Sequence, residues 1–331
     1  MEQVSMTIFL GRFTRPLAAL VAVVVAVAIM GALLPHFASP LNLSNILVQA
    51  ALTAVAAYGM TLVLLTGGID LSIGGVMSFV GVVEAGLITA GVPWPAAIVV
   101  GLIGSTFVGL LNGLGVAILG LPPFIATFGT LGIASGLALF IADSVDIASL
   151  PRVMTEIGNG KIQGFAYLVI IAVVVLVLLE FLIRRTSWGV RLRATGDAID
   201  VARLSGVPVV RTLVSAYLVS GLAAGVAGTL LACNLSTAGP LQGEPYTLAA
   251  VAACVVGGVD LFGGRGQLWA AALGTVFLSA IRSALNLQGV QPFIQGLVTG
   301  ILIIVAVFVT ANAAAIRRVA TRRIHLKRTV A

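Results

Sequence analysis

The sequence predicts an all-α integral membrane protein, a polytopic bundle of about ten transmembrane helices with both termini in the cytoplasm. Three observations lead there. Hydrophobic residues make up 60% of the 331 and charged residues only 9%, where a soluble domain carries about 25% charged, and the mean hydropathy is +1.16. The apolar runs are each about 18–23 residues long, the length a helix needs to cross a ~30 Å hydrocarbon core. No run shows the short alternating pattern of a membrane barrel, so the spans are helices.

In chain order, spans are expected near 16–34, 46–65, 71–91, 95–119, 123–142, 165–183, 212–233, 248–262, 268–285 and 291–312. The first run is too long for the apolar core of a signal peptide, and no small-x-small cleavage site follows it, so it reads as an uncleaved span. Arg12 and Arg15 precede it. Arg184, Arg185, Arg191, Arg193, Arg203 and Arg211 fill the loop after the sixth span, and Arg317, Arg318, Arg322, Arg323, Lys327 and Arg328 fill the tail. The positive-inside rule places all three clusters in the cytoplasm. An even number of spans does the same; eight or nine spans with a re-entrant hairpin is the other count. The opposite side then holds 35–45, 143–164, 234–247 and 286–290, with room in the second for a short surface helix. One domain is expected over 1–331: 16–312 in the membrane, a cytoplasmic loop at 184–211 and a basic tail at 313–331.

The net charge of +7 is accounted for by these clusters. The tail reads as an anchor at anionic lipid, and nucleic acid is not indicated. Cys233 and Cys254 lie in apolar surroundings and read as buried small hydrophobes. The two histidines, His36 and His325, supply neither a metal cluster nor a catalytic triad. No phosphate-binding loop is present; Gly158-Asn159-Gly160-Lys161-Ile162 lacks its spacing and hydroxyl. No enzyme activity, metal or cofactor is expected. Within the spans, Gly101, Gly104, Gly109, Gly113 and Gly115, and then Gly221, Gly225 and Gly228, read as close helix packing.

The most informative stretch is TGGIDLSIGG at 66–75, where Asp70 stands among glycines between two apolar runs in a chain of only 11 acidic residues. An ionisable group at the bilayer midplane costs about 2.5–3.5 kcal/mol on insertion scales, which makes it a functional candidate. VVGGVDLFGGRG at 255–266 repeats the order Gly-Gly-apolar-Asp-Leu and again reaches Gly-Gly, after one residue instead of two. Gly67, Gly68, Asp70 and Ser72, with Gly257, Gly258 and Asp260, therefore form a paired motif. One reading is a capped helix–helix turn, with Asp70 or Ser72 capping the next helix. The other is a gate or a contact surface for an intracellular partner, since transporters contain paired, glycine-interrupted segments.

The loop at 188–211 should contain a short amphipathic helix from about Asp197 to Leu204, ending at Gly206 and Pro208. Asp197 or Asp200 can cap it, and Ala198, Val201, Ala202 and Leu204 can form an apolar patch. Such a helix can lie on the membrane or insert into a groove of another protein.

TGGIDLSIGGVMSFVG, LPPFIATFGTLGIASGLA at 121–138, GDAIDVARLSGV at 196–207 and VVGGVDLFGGRG occur in an order that resembles the permease subunit of bacterial sugar-importing ABC transporters, the group of ribose, arabinose, xylose, galactofuranose and autoinducer-2 permeases. The resemblance covers about 46–312. It implies an inner-membrane subunit that pairs with a second permease chain, identical or related, and receives its solute from a periplasmic sugar-binding protein. It implies that Gly196, Asp197, Asp200, Ala202, Arg203, Leu204, Ser205 and Gly206 form a coupling element docked on a separate cytoplasmic ATPase, which binds the ATP. The chain departs from the family where members often carry a Tyr-Glu-Leu-Asp-Ala-like run: here it reads Tyr246-Thr247-Leu248-Ala249-Ala250, without the carboxylates, and Glu244 is the nearby acid.

Polar and aromatic residues within spans, namely Tyr58, Asn112, Phe124, Thr127, Phe128 and Asn286, are candidates for the solute path, each also explicable as an ordinary packed residue. Glu180 and Arg184, four residues apart, read as a helix-surface ion pair. Glu84 has no evident local partner. Two alternatives stay open. One is a secondary transporter with Asp70, Glu84 or Asp260 as an ion or proton site; the other is a branched-chain amino-acid ABC permease.

Overall fold

The structure, a computed structural model, describes residues 20–311 apart from 22 and 149. The start of the first predicted span, Arg12, Arg15, His325 and the basic tail lie outside the described residues. The described chain is almost wholly helical: α1 (Val23–Leu33), α2 (Pro40–Leu65), α3 (Ile73–Thr89), α4 (Trp94–Ala117), α5 (Pro123–Ile141), α6 (Arg152–Asn159), α7 (Tyr167–Arg185), α8 (Ser187–Asp197), α9 (Ile199–Leu204), α10 (Val209–Leu235), α11 (Glu244–Val256), α12 (Leu268–Leu287) and α13 (Pro292–Ala311). Six of them, α2, α4, α5, α7, α10 and α12, are long and apolar enough to cross a membrane, and four shorter apolar helices lie in α1, α3, α11 and α13.

The predicted boundaries shift where local chemistry decides them. α2 begins at Pro40 rather than near 46, because Ser39 caps it (Asn42 N–H to Ser39 Oγ, 3.3 Å) and proline fits the first helical position. α11 starts at Glu244 and stops at Val256, so the span expected over 248–262 is displaced, and 257–262 is turn rather than helix. α10 follows Pro208 directly and runs two residues beyond the predicted 233.

α2 and α10 are the buried pair; α4, α5 and α7 face outward with residues such as Ile103, Phe107, Phe128, Phe140, Val177 and Phe181. Such outward apolar faces can meet lipid or a further apolar protein surface, since within a bilayer no water distinguishes the two. α10 packs closely because its partners lack side chains at the crossing. A Cβ on Gly221 would stand 2.9 Å from the Cα of Gly109 on α4, and one on Gly228 2.9 Å from the Cα of Met77 on α3. The span glycines thus serve the packing role expected of them.

At the end opposite α8 and α9, two short antiparallel pairs close the loops. Ile147–Ala148 pairs with Thr237–Ala238, and Lys161–Ile162 with Phe165–Ala166. α6 lies in the first of these loops as the expected short surface helix. Cys233 and Cys254 are free and buried, and His36 is exposed.

Candidate functional site

The paired glycine motifs both close helices in the same way. After α2, Gly67 N–H bonds the carbonyl of Leu64 and Gly68 N–H that of Val63. After α11, Gly258 N–H bonds Val255 and Val259 N–H bonds Cys254. Each is the two-bond closure that needs a left-handed residue just past the helix end. That residue is Gly67 (φ +79°) in the first turn and Gly258 (φ +84°) in the second. The letters align Gly67 with Gly257, so the backbone repeat is displaced by one residue from the letter repeat. In both turns the aspartate then accepts from the N–H two residues on: Ser72 to Asp70 Oδ1 at 3.0 Å, and Phe262 to Asp260 Oδ1 at 3.1 Å.

Beyond that, the two differ. Asp260 is half-buried in a loop, whereas Asp70 is 1% exposed. Leu65, at the foot of α2, touches the loop that follows α11: Gly264 N–H donates to its carbonyl at 3.1 Å. Gly74, near the start of α3, lies beside Thr247 on the first turn of α11, ten residues before Gly257. The 66–73 segment therefore climbs roughly 15 Å alongside α11, at 1.5 Å per helical residue, and Asp70 lies on that climb. Irregular backbone at such depth is tolerated where protein encloses it.

Every oxygen of Asp70 is used. Oδ1 also accepts from Ser72 Oγ at 2.6 Å, and Oδ2 from Ser220 Oγ of α10 at 2.7 Å. Asn112 of α4 donates to Ser72 Oγ at 2.9 Å, and Thr130 of α5 donates to Asn112 Oδ1 at 2.7 Å. The carboxylate thus ties the climbing segment to α4, α5 and α10. Two expectations are corrected. Asp70 and Ser72 are interior residues and present no contact surface. Neither side chain caps α3; the cap comes from Thr247, whose Oγ1 accepts from Gly74 N–H at 2.8 Å.

The amphipathic helix is also corrected. Asp197 is the last residue of α8, Ala198 is extended (φ −163°, ψ 99°), and α9 begins at Ile199 without a side-chain cap. Asp200 lies in its first turn and pairs with Arg203 at 3.4 Å on the exposed surface. The predicted apolar patch divides. Ala202 is buried against Val209, Leu213 and Ala117, while Val201 and Leu204 are exposed, Leu204 at 88%. Ser205 and Gly206 (φ +80°) end α9 in the open.

α8 leads from α9 to the two glycine turns. A Cβ on Gly196 would collide with the carbonyl of Leu65 and stand 2.6 Å from the Gly264 nitrogen; one on Gly263 would lie 2.6 Å from the carbonyl of Gly196. The carboxylate of Asp197 occupies the space where Gly264 (φ +71°) would carry a Cβ. Arg193 Nη2 donates to the carbonyl of Gly266 at 3.3 Å. Three segments far apart in sequence thus meet backbone to backbone.

The candidate path residues separate into two groups. Tyr58 is core, packed among Ala54, Leu62 and Ala216, and Asn112 and Thr127 are buried behind α5. Phe124 and Phe128 are exposed and stacked, ring centres 5.8 Å apart, on the outward face of α5. That face is open: nothing lies within 4 Å of a Cβ placed at Gly129, Gly132 or Gly136. Asn286 is exposed at the end of α12 and accepts from Gln295 of α13 at 2.6 Å. Glu84 faces inward between α3, α4 and α10. Thr229 donates to its Oε1 at 2.6 Å, and Oε2 has no hydrogen-bond partner among the described residues. Glu180 and Arg184 pair at 2.6 Å as expected.

Two residues escaped sequence reasoning. Ser220 is an ordinary serine until α10 brings it to Asp70. Arg282, half-buried in α12 beside Tyr246 of α11, carries its own signal, a single arginine inside an apolar 20-residue helix.

The chain matches the family described as branched-chain amino acid transport system / permease component over residues 42–307. It is 37% identical over 285 residues to the ribose import permease protein of Bacillus subtilis, covering 86% of this chain and 88% of that one. It is 34% identical to the D-allose transport system permease protein of Escherichia coli (86% and 87% covered) and 33% identical to the fructose import permease protein of Rhizobium meliloti (87% and 83%). No solved structure gives a significant match.

Proposed function

The chain belongs to the branched-chain amino acid transport system / permease component family, and on that premise we propose that it is the transmembrane permease subunit of an ATP-driven importer of sugars. The observation that carries the sugar reading over the amino-acid one is the match, along most of both chains, to permeases named for ribose, allose and fructose.

In this reading the six long apolar helices and the four shorter ones make ten spans in the inner membrane, with both termini, α8 and α9 in the cytoplasm. The open face of α5 meets a second permease chain. A periplasmic binding protein delivers the sugar to the end that carries α6. α9 docks in a groove of a separate ATPase, with Val201 and Leu204 supplying the apolar contact and Asp200 and Arg203 the polar rim. Phe124 and Phe128 offer flat apolar faces to the passing solute, which suits the C–H faces of a sugar ring, while Asn112 and Thr127 hold α5 from behind.

The test is co-purification with the ATPase and binding protein, a sugar screen on the binding protein, and ATP-dependent uptake in liposomes. Concentrative uptake by this chain alone on a proton or sodium gradient overturns the reading.

A further inference from the structure

We propose that the contact of Gly196 and Asp197 with the Leu65–Gly67 turn and the Gly263–Gly264 loop is the joint that carries movement of α8 and α9 into the membrane helices. The inference rests on the reading of α9 as an ATPase-docking element.

The argument begins with slack. A contact between side chains can absorb a displacement by changing rotamers; one between backbones cannot. At the centre of this junction the contact is backbone on backbone, with the Asp197 and Arg193 side chains at its margin. Gly196 lies against the carbonyl of Leu65 and the nitrogen of Gly264, and Gly263 against the carbonyl of Gly196. Gly264 N–H is in turn bonded to Leu65. Only one extended residue, Ala198, separates this contact from α9, so the exposed helix and the joint share a short lever. Arg193, held to the carbonyl of Gly266 at 3.3 Å, gives α8 a second grip on the same loop.

The joint then has two outlets. Through Gly67 it reaches, three residues on, the Asp70 carboxylate that fastens α10 through Ser220 and, by way of Ser72 and Asn112, α4 and α5. Through Gly264 it reaches Gln267 and the start of α12. A small displacement at one contact is therefore presented to both repeated turns at once, and packed interfaces amplify such shifts because they do not deform continuously. The duplication of the motif acquires a reason: each copy receives the same push.

The experiment uses the full complex of permease, ATPase and binding protein in liposomes. Gly264→Ala adds a methyl against the movable carboxylate of Asp197 and strains a left-handed residue. Import per ATP hydrolysed is expected to fall about tenfold while hydrolysis itself holds within about twofold. A merely structural lesion lowers assembled complex and both rates together and leaves that ratio unmoved, which overturns the joint. Hydrogen exchange on the wild-type complex, with and without a non-hydrolysable ATP analogue, gives a second reading that needs no variant. Protection in 187–204, 66–72 and 257–267 is expected to change together; a change confined to 187–204 overturns the proposal. A wild-type complex that imports nothing with ATP removes the ABC reading and the joint with it, whereas a coupled wild type with an unmoved ratio removes the joint alone.

Discussion

Thr247, in the first turn of α11, accepts a hydrogen bond at 2.8 Å from the backbone N–H of Gly74, the second residue of α3. One helix caps another across 173 positions of sequence. The hydroxyl supplies an uncharged acceptor from the Tyr246–Ala250 run, which carries no carboxylate. Thr247→Val is expected to cost about 1 kcal/mol, the usual worth of a cap. Thr247→Ser should retain most of it. Thermal unfolding in detergent, followed on the purified chain, measures both.

Removing the Asp70 carboxylate strands three donors, the N–H and hydroxyl of Ser72 and the hydroxyl of Ser220. Asp70→Ala is therefore expected to destabilise by about 3 kcal/mol, and Ser220→Ala, which strands only one oxygen, by about 1 kcal/mol. The two should be non-additive in a double-mutant cycle, because they share a bond. Equal and additive effects would contradict the shared network.

Gly101 and Glu84 form a second coupled pair. A Cβ on Gly101 would lie 2.7 Å from Glu84 Oε1 and 2.9 Å from its Cγ. Gly101→Ala alone should destabilise by about 1–3 kcal/mol, the cost of overpacking. Glu84→Ala in the same chain should recover part of that loss. Melting temperatures of the two single variants and the double one decide it.

Asp200 and Arg203 are exposed, and their ion pair contributes little to stability. Asp200→Ala and Arg203→Ala should leave the melting temperature within about 2 °C of wild type, given the few degrees per kcal/mol of a chain this size. Their effect belongs to the complex: uptake should fall relative to ATP hydrolysis stimulated by the loaded binding protein. Wild-type stimulation together with wild-type uptake would remove them from the coupling element.

Leu204→Asp tests docking itself. The side chain is 88% exposed, so folding should be unaffected, while capture of the ATPase on the tagged permease should drop at least about tenfold, as for loss of a central apolar anchor.

The spans were legible because a lipid-facing helix must be apolar throughout, and the glycine motifs because identical letters recurred. What the letters lacked was environment. Asp70 and Asp260 occur in the same local order, yet only Asp70 meets a serine on α10, and that meeting depends on the packing of elements 150 residues apart. The cap on α3 was sought in its own flanking residues, where caps usually lie, and it came from α11. The helix expected over 197–204 is interrupted at Ala198, beside the point where the end of α8 meets the Gly263–Gly264 loop, a contact between distant segments that local propensity does not register.

The one-residue offset between Gly67 and Gly258 means that the two halves are not interchangeable cassettes. Grafting 257–263 in place of 67–73 would keep both glycines, the aspartate and the leucine, yet deliver the turn late, and with Phe at 72 it would take from the carboxylate the serine beside it. Comparisons between the halves of such permeases should therefore superpose helix ends before matching characters, or they will equate atoms that never occupy equivalent places.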